Sequence, residues 1–85
     1  MKEFRYTIKE KLGMHARPAG LFVSKARSFP CRITIAGNGG EADAKQILAV
    51  MGLELNCGDE LILRTEGEQE AEVMAVLSRF LEENL

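Results

Sequence analysis

Tryptophan is absent from this chain of 85 residues, tyrosine occurs once, and histidine occurs once, at position 15. Proline and cysteine each occur twice. The two cysteines, Cys31 and Cys57, lie far apart with no CxxC spacing. With one histidine to accompany them they do not make an ordinary zinc site, and no other metal or cofactor is indicated. They are expected to be reduced thiols filling small spaces in a cytoplasmic protein. No apolar run approaches a membrane span in length. The opening Met1-Lys2-Glu3-Phe4-Arg5 has mixed charge where a secretory signal would be apolar, so neither membrane insertion nor export is expected. Basic residues are also in deficit, with eleven Lys and Arg against thirteen Asp and Glu for a net charge of −2. A nucleic-acid binder would normally present a basic face. The length allows one domain with a thin core and no buried cofactor the size of haem.

Hydrophobic residues make up 46% of the chain, and their spacing outlines the elements. Residues 3–9 alternate, with Phe4, Tyr6 and Ile8 opposite Arg5, Thr7 and Lys9, which predicts a half-buried strand. A helix is expected from about Ala16 to Ser28, with Ala19, Phe22, Val23 and Ala26 as its apolar stripe and Pro18 in the first turn, where a missing N–H is harmless. After Pro30, Cys31, Ile33 and Ile35 alternate with Arg32 and Thr34 as a second strand. Gly37-Asn38-Gly39-Gly40 is a hairpin signal leading to a short third strand over Glu41–Asp43. A short helix around Gln46–Gly52, a strand over Glu60–Glu66 and a last helix over Gln69–Asn84 complete the chain, the last with Val73, Leu77, Phe80 and Leu81 on one face. The order β-α-β-β-α-β-α predicts an α+β fold in which a four-stranded, mostly antiparallel sheet carries helices on one face and leaves the other wet.

The single histidine lies in Leu12-Gly13-Met14-His15-Ala16-Arg17-Pro18-Ala19-Gly20. If the helix begins at Ala16, the imidazole stands beside unpaired backbone N–H groups at the positive end of the helix dipole. Arg17 adds a fork of donors suited to phosphate oxygens. A positive helix end favours a neutral ring, and a neutral ring nitrogen is what attack on phosphorus requires. These parts suit a histidine that accepts a phosphoryl group; they equally describe a solvated surface histidine.

The helix around 47–51 adds a second feature. Ile47, Leu48, Ala49, Val50 and Met51 are apolar in succession, more than a helix this short can bury against a thin sheet. Ala49 and Val50 are expected to face inward, with Ile47, Leu48 and Met51 partly outward as a docking surface. The alternative is that all five belong to the core.

Gly13-Met14-His15-Ala16-Arg17-Pro18-Ala19 resembles the active-site signature of the HPr family, the histidine-containing phosphocarriers of the bacterial phosphoenolpyruvate:sugar phosphotransferase system. Ala44-Lys45-Gln46-Ile47-Leu48-Ala49-Val50-Met51 is similar to the second motif of that family, in altered form, and the likeness extends over the whole chain. The resemblance implies an open-faced β-sandwich, a four-stranded antiparallel sheet covered by three helices. It implies a carrier, not an enzyme in its own right, in which His15 takes a phosphoryl group on Nδ1 from phospho-enzyme I and passes it to enzyme IIA units. Arg17 would assist, with Ala16 and Pro18 in support. Docking would fall to Gly20, Ser24 and Arg27 of the first helix together with Ile47, Leu48 and Met51. The protein would act as a monomer, without nucleic acid.

The chain departs from the family pattern in three places. Gln46 stands where many members carry a regulatory serine, so no hydroxyl is offered to a kinase there. Asp43 and Gln46 have instead the spacing of a capping box. Glu54 replaces a frequent glycine, and Cys57 lies close to the same surface. Three rivals are weighed against the sugar-uptake carrier. A carrier of the nitrogen-related phosphotransferase branch fits the histidine segment equally well. A regulatory HPr-like module that transfers no phosphate would need neither His15 nor Arg17. A ferredoxin-like RNA-binding domain would need stacking aromatics in its middle strands, and the second and third strands have none.

Overall fold

The alternating segments pair into one sheet. A computed structural model describes all 85 residues as β1 (Lys2–Thr7), α1 (Ala16–Arg27), β2 (Arg32–Gly37), β3 (Gly40–Asp43), α2 (Ile47–Met51), β4 (Glu60–Glu66) and α3 (Glu70–Asn84). The strands run in the order β1-β4-β2-β3, and every neighbouring pair is antiparallel. Phe4 lies opposite Leu63 and Tyr6 opposite Leu61, while Ile35 faces Leu63 on one side and Ala42 on the other. The period of two therefore puts Phe4, Tyr6, Ile33, Ile35, Ala42, Leu61, Leu63 and Thr65 on one face.

The helices cover that face. Phe22 of α1 and Leu77 of α3 are fully buried, as is Val50 of α2, and the rings of Phe22 and Phe80 approach to 6.1 Å where α1 meets α3. Burying a side chain such as Phe22 is worth about 2–3 kcal/mol. Thr65 is the one buried polar residue, and its hydroxyl donates to the Glu70 carbonyl at 2.8 Å, so nothing polar is stranded in the core. The open-faced β-sandwich expected from the sequence is the architecture observed.

The opposite face is charged. Arg64 donates to Glu3 at 2.8 Å and to Glu41 at 3.2 Å, and Arg5 pairs with Glu60 at 3.4 Å and Glu3 at 3.6 Å. The bond from Arg64 holds the Glu3 carboxyl below its ordinary range. Such exposed pairs add little stability, and their effect is to keep this side of the sheet wet.

Four expectations are corrected. The first strand ends at Thr7, not Lys9: the Lys9 and Glu10 N–H groups turn away to the Leu85 carbonyl at 2.5 and 2.7 Å. Ala49 is exposed, because a five-residue helix has only one inward position, held by Val50. Cys57 is exposed, in a turn, and fills no space; only Cys31 does. Asp43 caps no helix, since the N-cap of α2 is Gln46 without a side-chain bond, and the Asp43 carboxylate instead accepts from the Lys45 N–H at 2.9 Å in a turn.

The connection from α2 to β4 is braced by side chains. Asn38, in the hairpin turn, donates to the carbonyls of Leu53 (3.0 Å) and Glu54 (2.9 Å) and to the Asp59 carboxylate (3.1 Å). The same carboxylate accepts from the Asn56 N–H at 2.8 Å. These bonds, the Asn56 amide first and Asn38 second, hold the Asp59 carboxyl below its ordinary value of 3.8. A carboxyl depressed on folding stabilises the fold above its unfolded value, and that stabilisation is lost as the pH falls through the folded one. Asp59→Asn should therefore lower the melting temperature at neutral pH, and the gap to the parent protein should close below about pH 4. Thermal unfolding followed by circular dichroism across pH 2.5–7 (roughly the range over which aspartate titrates) checks this.

Candidate functional site

The segment before α1 reaches the histidine through a glycine that no other residue replaces easily. Gly13 has φ +64°, and a Cβ there would lie 2.4 Å from the Leu55 carbonyl oxygen and 2.7 Å from Asn56 Cα. The close approach lets the Met14 N–H donate to Leu55 O at 2.8 Å and buries the Met14 side chain. His15 follows as the N-cap of α1, with φ −83° and ψ −179°. Its imidazole makes no capping hydrogen bond, so both ring nitrogens stay available.

The helix start is correspondingly open. The Ala19 N–H is taken by the His15 carbonyl at 3.0 Å, and Pro18 has no N–H. The amides of Ala16 and Arg17 are left as the free donors next to the ring. Pro18 and Ala19 are buried, whereas Ala16 and Arg17 are exposed and His15 is half-buried. Arg17 makes neither an ion pair nor a side-chain hydrogen bond, so its guanidinium is uncommitted. The imidazole and the first amides of α1 stand together at the helix N-terminus, and the unpaired Arg17 lines the same cleft as His15, an arrangement that can receive a tetrahedral dianion.

His15, Arg17 and Pro18 line a surface cleft of about 390 Å³ with Leu12 and Leu21. Glu10, Glu83 and Asn84 line it as well. Reading the sequence left out Leu21, Glu10, Glu83 and Asn84. Leu21 had a signal, because it lies off the buried stripe of its helix and one turn beyond Arg17. The α3 residues had none, since only the tertiary fold brings that helix end to residue 15.

The expected docking residues form a surface beside this cleft. Gly20 faces α2, and a Cβ there would make an ordinary contact with the Ile47 side chain at 3.8 Å. Leu48 is 84% exposed and Ile47 39%, while Met51 is half-buried against the core. Ser24 and Arg27 are exposed on α1. Arg27 is not free, however: its Nε donates to the Lys45 carbonyl at 2.9 Å, and Lys45 Nζ returns a bond to the Phe29 carbonyl at 2.7 Å. Those two bonds join the end of α1 to the start of α2.

Comparison with known proteins fits this geometry. Residues 2–83 match the family described as PTS HPr component phosphorylation site. The chain belongs to the HPr family. The HPr of Pseudomonas aeruginosa is 44% identical over 78 residues, covering 91% of this chain and 87% of that protein. The HPr-like protein Crh of Halalkalibacterium halodurans is 40% identical over 82 residues, covering 96% and 98%. The structure of HPr-C-His from Thermoanaerobacter tengcongensis superposes with a TM-score of 0.90 at 38% identity, covering 96% of this chain and 92% of that one.

Within this HPr-family chain the departures now have positions. Gln46 is exposed at the N-cap of α2. Glu54 has φ +50°, the left-handed region that glycine enters without strain, which accounts for glycine being frequent there. Cys57 is exposed, its thiol 3.7 Å from the Lys9 carbonyl. No helix is long and apolar enough to cross a membrane, and no three His, Cys, Asp or Glu side chains gather as metal ligands.

The seating of Gly13 generates a prediction. Gly13→Ala combines a left-handed backbone with a methyl group driven into the Leu55–Asn56 backbone, and should destabilise the protein by about 2 kcal/mol or more. Urea unfolding monitored by circular dichroism gives the loss directly.

Proposed function

We propose that this HPr-family protein is a cytoplasmic phosphoryl carrier that takes a phosphoryl group from phospho-enzyme I onto His15 and passes it to enzyme IIA units in sugar uptake. The observation that carries this reading is the uncapped imidazole at the N-terminus of α1, beside two free amides and an unpaired Arg17. The neutral ring attacks phosphorus while the bond to the donor breaks, and charge on the phosphoryl oxygens meets the amides of Ala16 and Arg17 and the Arg17 guanidinium. Nδ1 is the nitrogen that the family pattern indicates. The onward step reverses the sequence, with His15 as the leaving group.

Docking falls to the α1–α2 surface, where Ile47, Leu48 and Met51 supply apolar area, Gly20 lies beside Ile47, and Ser24 and Arg27 are exposed on α1. Gln46 at the head of α2 offers no hydroxyl, so regulation by a serine kinase at that position has no target. The relative named HPr-like protein Crh supports a second reading, a regulatory module that binds without carrying phosphate. A complete histidine site favours the carrier. Between the sugar and nitrogen branches, the discriminating measurement is which IIA domain accepts the phosphate.

Incubation with phosphoenolpyruvate and enzyme I should add the mass of one phosphoryl group, labile in acid and stable in alkali. His15→Ala should abolish uptake with an unchanged fold, and Arg17→Ala should slow it by about ten- to a hundredfold, since the two amides remain. Uptake by the His15→Ala variant would overturn the proposal.

Docking has its own test. Leu48→Glu puts a charge on a side chain that the free protein leaves in water, so the melting temperature should stay within a degree or so of the parent value. The KM for phospho-enzyme I should rise by about tenfold, because complex formation must desolvate the carboxylate. Met51→Glu should raise KM too but also lower the melting temperature, since Met51 packs on the core.

A further inference from the structure

The cleft beside His15 contains two carboxylates as well as a cation. Glu10 belongs to the segment after β1, and Glu83 lies in the last turn of α3. The two segments are tied together, because the Lys9 and Glu10 N–H groups both donate to the Leu85 carbonyl, and the Gly13 N–H donates to the Glu10 carbonyl at 2.9 Å. The acidic wall is thus built into the fold rather than left to loose chain. The Glu10 side chain makes no ion pair or hydrogen bond, while Glu83 shares its charge with Arg79 at 3.3 Å. Arg17, also without a partner, lines the same cleft.

A phosphoryl group on His15 brings about two negative charges into this cleft. Resting on the reading of His15 as the carrier, we propose that Glu10 and Glu83 set how readily the phosphoryl group is given away. They repel the group from within the same cleft. That repulsion raises the free energy of the phosphorylated protein relative to the free one. The bond changes of transfer are unaltered: a His15 ring-nitrogen lone pair forms the bond to phosphorus as the donor leaves with its electron pair, and in the onward step the electron pair returns to His15. The proton on the other ring nitrogen takes no part. Arg17 helps to receive the group, and the carboxylates keep it from being held. Glu10, having no cation of its own, carries the larger share.

The test is an equilibrium rather than a rate. Parent protein, Glu10→Gln, Glu83→Gln and the double variant are each brought to equilibrium with phosphoenolpyruvate, pyruvate and a trace of enzyme I, and the phosphorylated fraction is read by intact mass. The equilibrium constant for phosphorylation should rise by about threefold or more for Glu10→Gln, less for Glu83→Gln, and by up to about tenfold for the pair, as expected for unit charges interacting through solvent. The rise should shrink in salt of about 0.5 M, where screening shortens the reach of a charge to a few ångströms. Glu72→Gln, in the first turn of α3 at the opposite end of the helix, should leave the constant unchanged. Normal uptake with the same constant in all variants, or an equal shift from Glu72→Gln, would overturn the proposal and leave His15 as the carrier. Failure of the parent protein to take up phosphate would overturn the underlying reading and this proposal together.

Discussion

The approach of Gly13 to the backbone of Leu55 and Asn56 is the constraint from which the histidine site follows. Only a residue without Cβ fits at this separation, and only then does the Met14 N–H reach the Leu55 carbonyl. That bond sets where the chain enters α1, and the entry makes His15 an N-cap with an unused side chain. Had the imidazole capped its own helix, a ring nitrogen would be committed and the amides of Ala16 and Arg17 would face a competitor. The floor under Gly13 is itself held from below by Asn38 and Asp59, so a hairpin turn remote in sequence braces the histidine. A carrier gains from such rigidity, because a preorganised site needs little rearrangement when charge arrives.

The two faces of the sheet divide the work. One is buried under three helices and supplies the core, while the other carries the pairs formed by Arg64 and Arg5 and remains wet. The helix layer leaves Ile47 and Leu48 exposed where α1 and α2 lie side by side, the surface proposed above for partner contact. Leu12 and Leu21 are exposed in the cleft with the histidine, and Ile47 and Leu48 on α2, while the stripes Ala19-Phe22-Val23-Ala26 and Val73-Leu77-Phe80-Leu81 are buried. The bonds from Arg27 to the Lys45 carbonyl and from Lys45 Nζ to the Phe29 carbonyl tie the end of α1 to the start of α2, so Arg27 has a structural task of its own.

Much of this was legible in the residues themselves. Strict alternation identified the strands, and the stripes Ala19-Phe22-Val23-Ala26 and Val73-Leu77-Phe80-Leu81 identified two helices, because burial on one side imposes those periods on any sequence. Short elements were read less well. In α2 the period has no room to repeat, so Ala49 could not be told from Val50, and the spacing of Asp43 and Gln46 suggested a capping box where the chain makes a turn. An isolated cysteine carries no period at all, and Cys57 was placed inside for want of one.

By itself the sequence determined the β-α-β-β-α-β-α order, the single histidine at a helix start, the arginine two residues on, and the absence of a hydroxyl at position 46. These are local properties, set by neighbours along the chain. Tertiary structure alone decided that Leu55 and Asn56 lie under Gly13, that Arg27 is bonded to Lys45, and that Glu10 and Glu83 share a cleft with His15 and Arg17. Those meetings depend on how the helices settle on the sheet. The packing of buried side chains fixes that arrangement, and it brings residue 83 to residue 15 without leaving any mark on the residues in between.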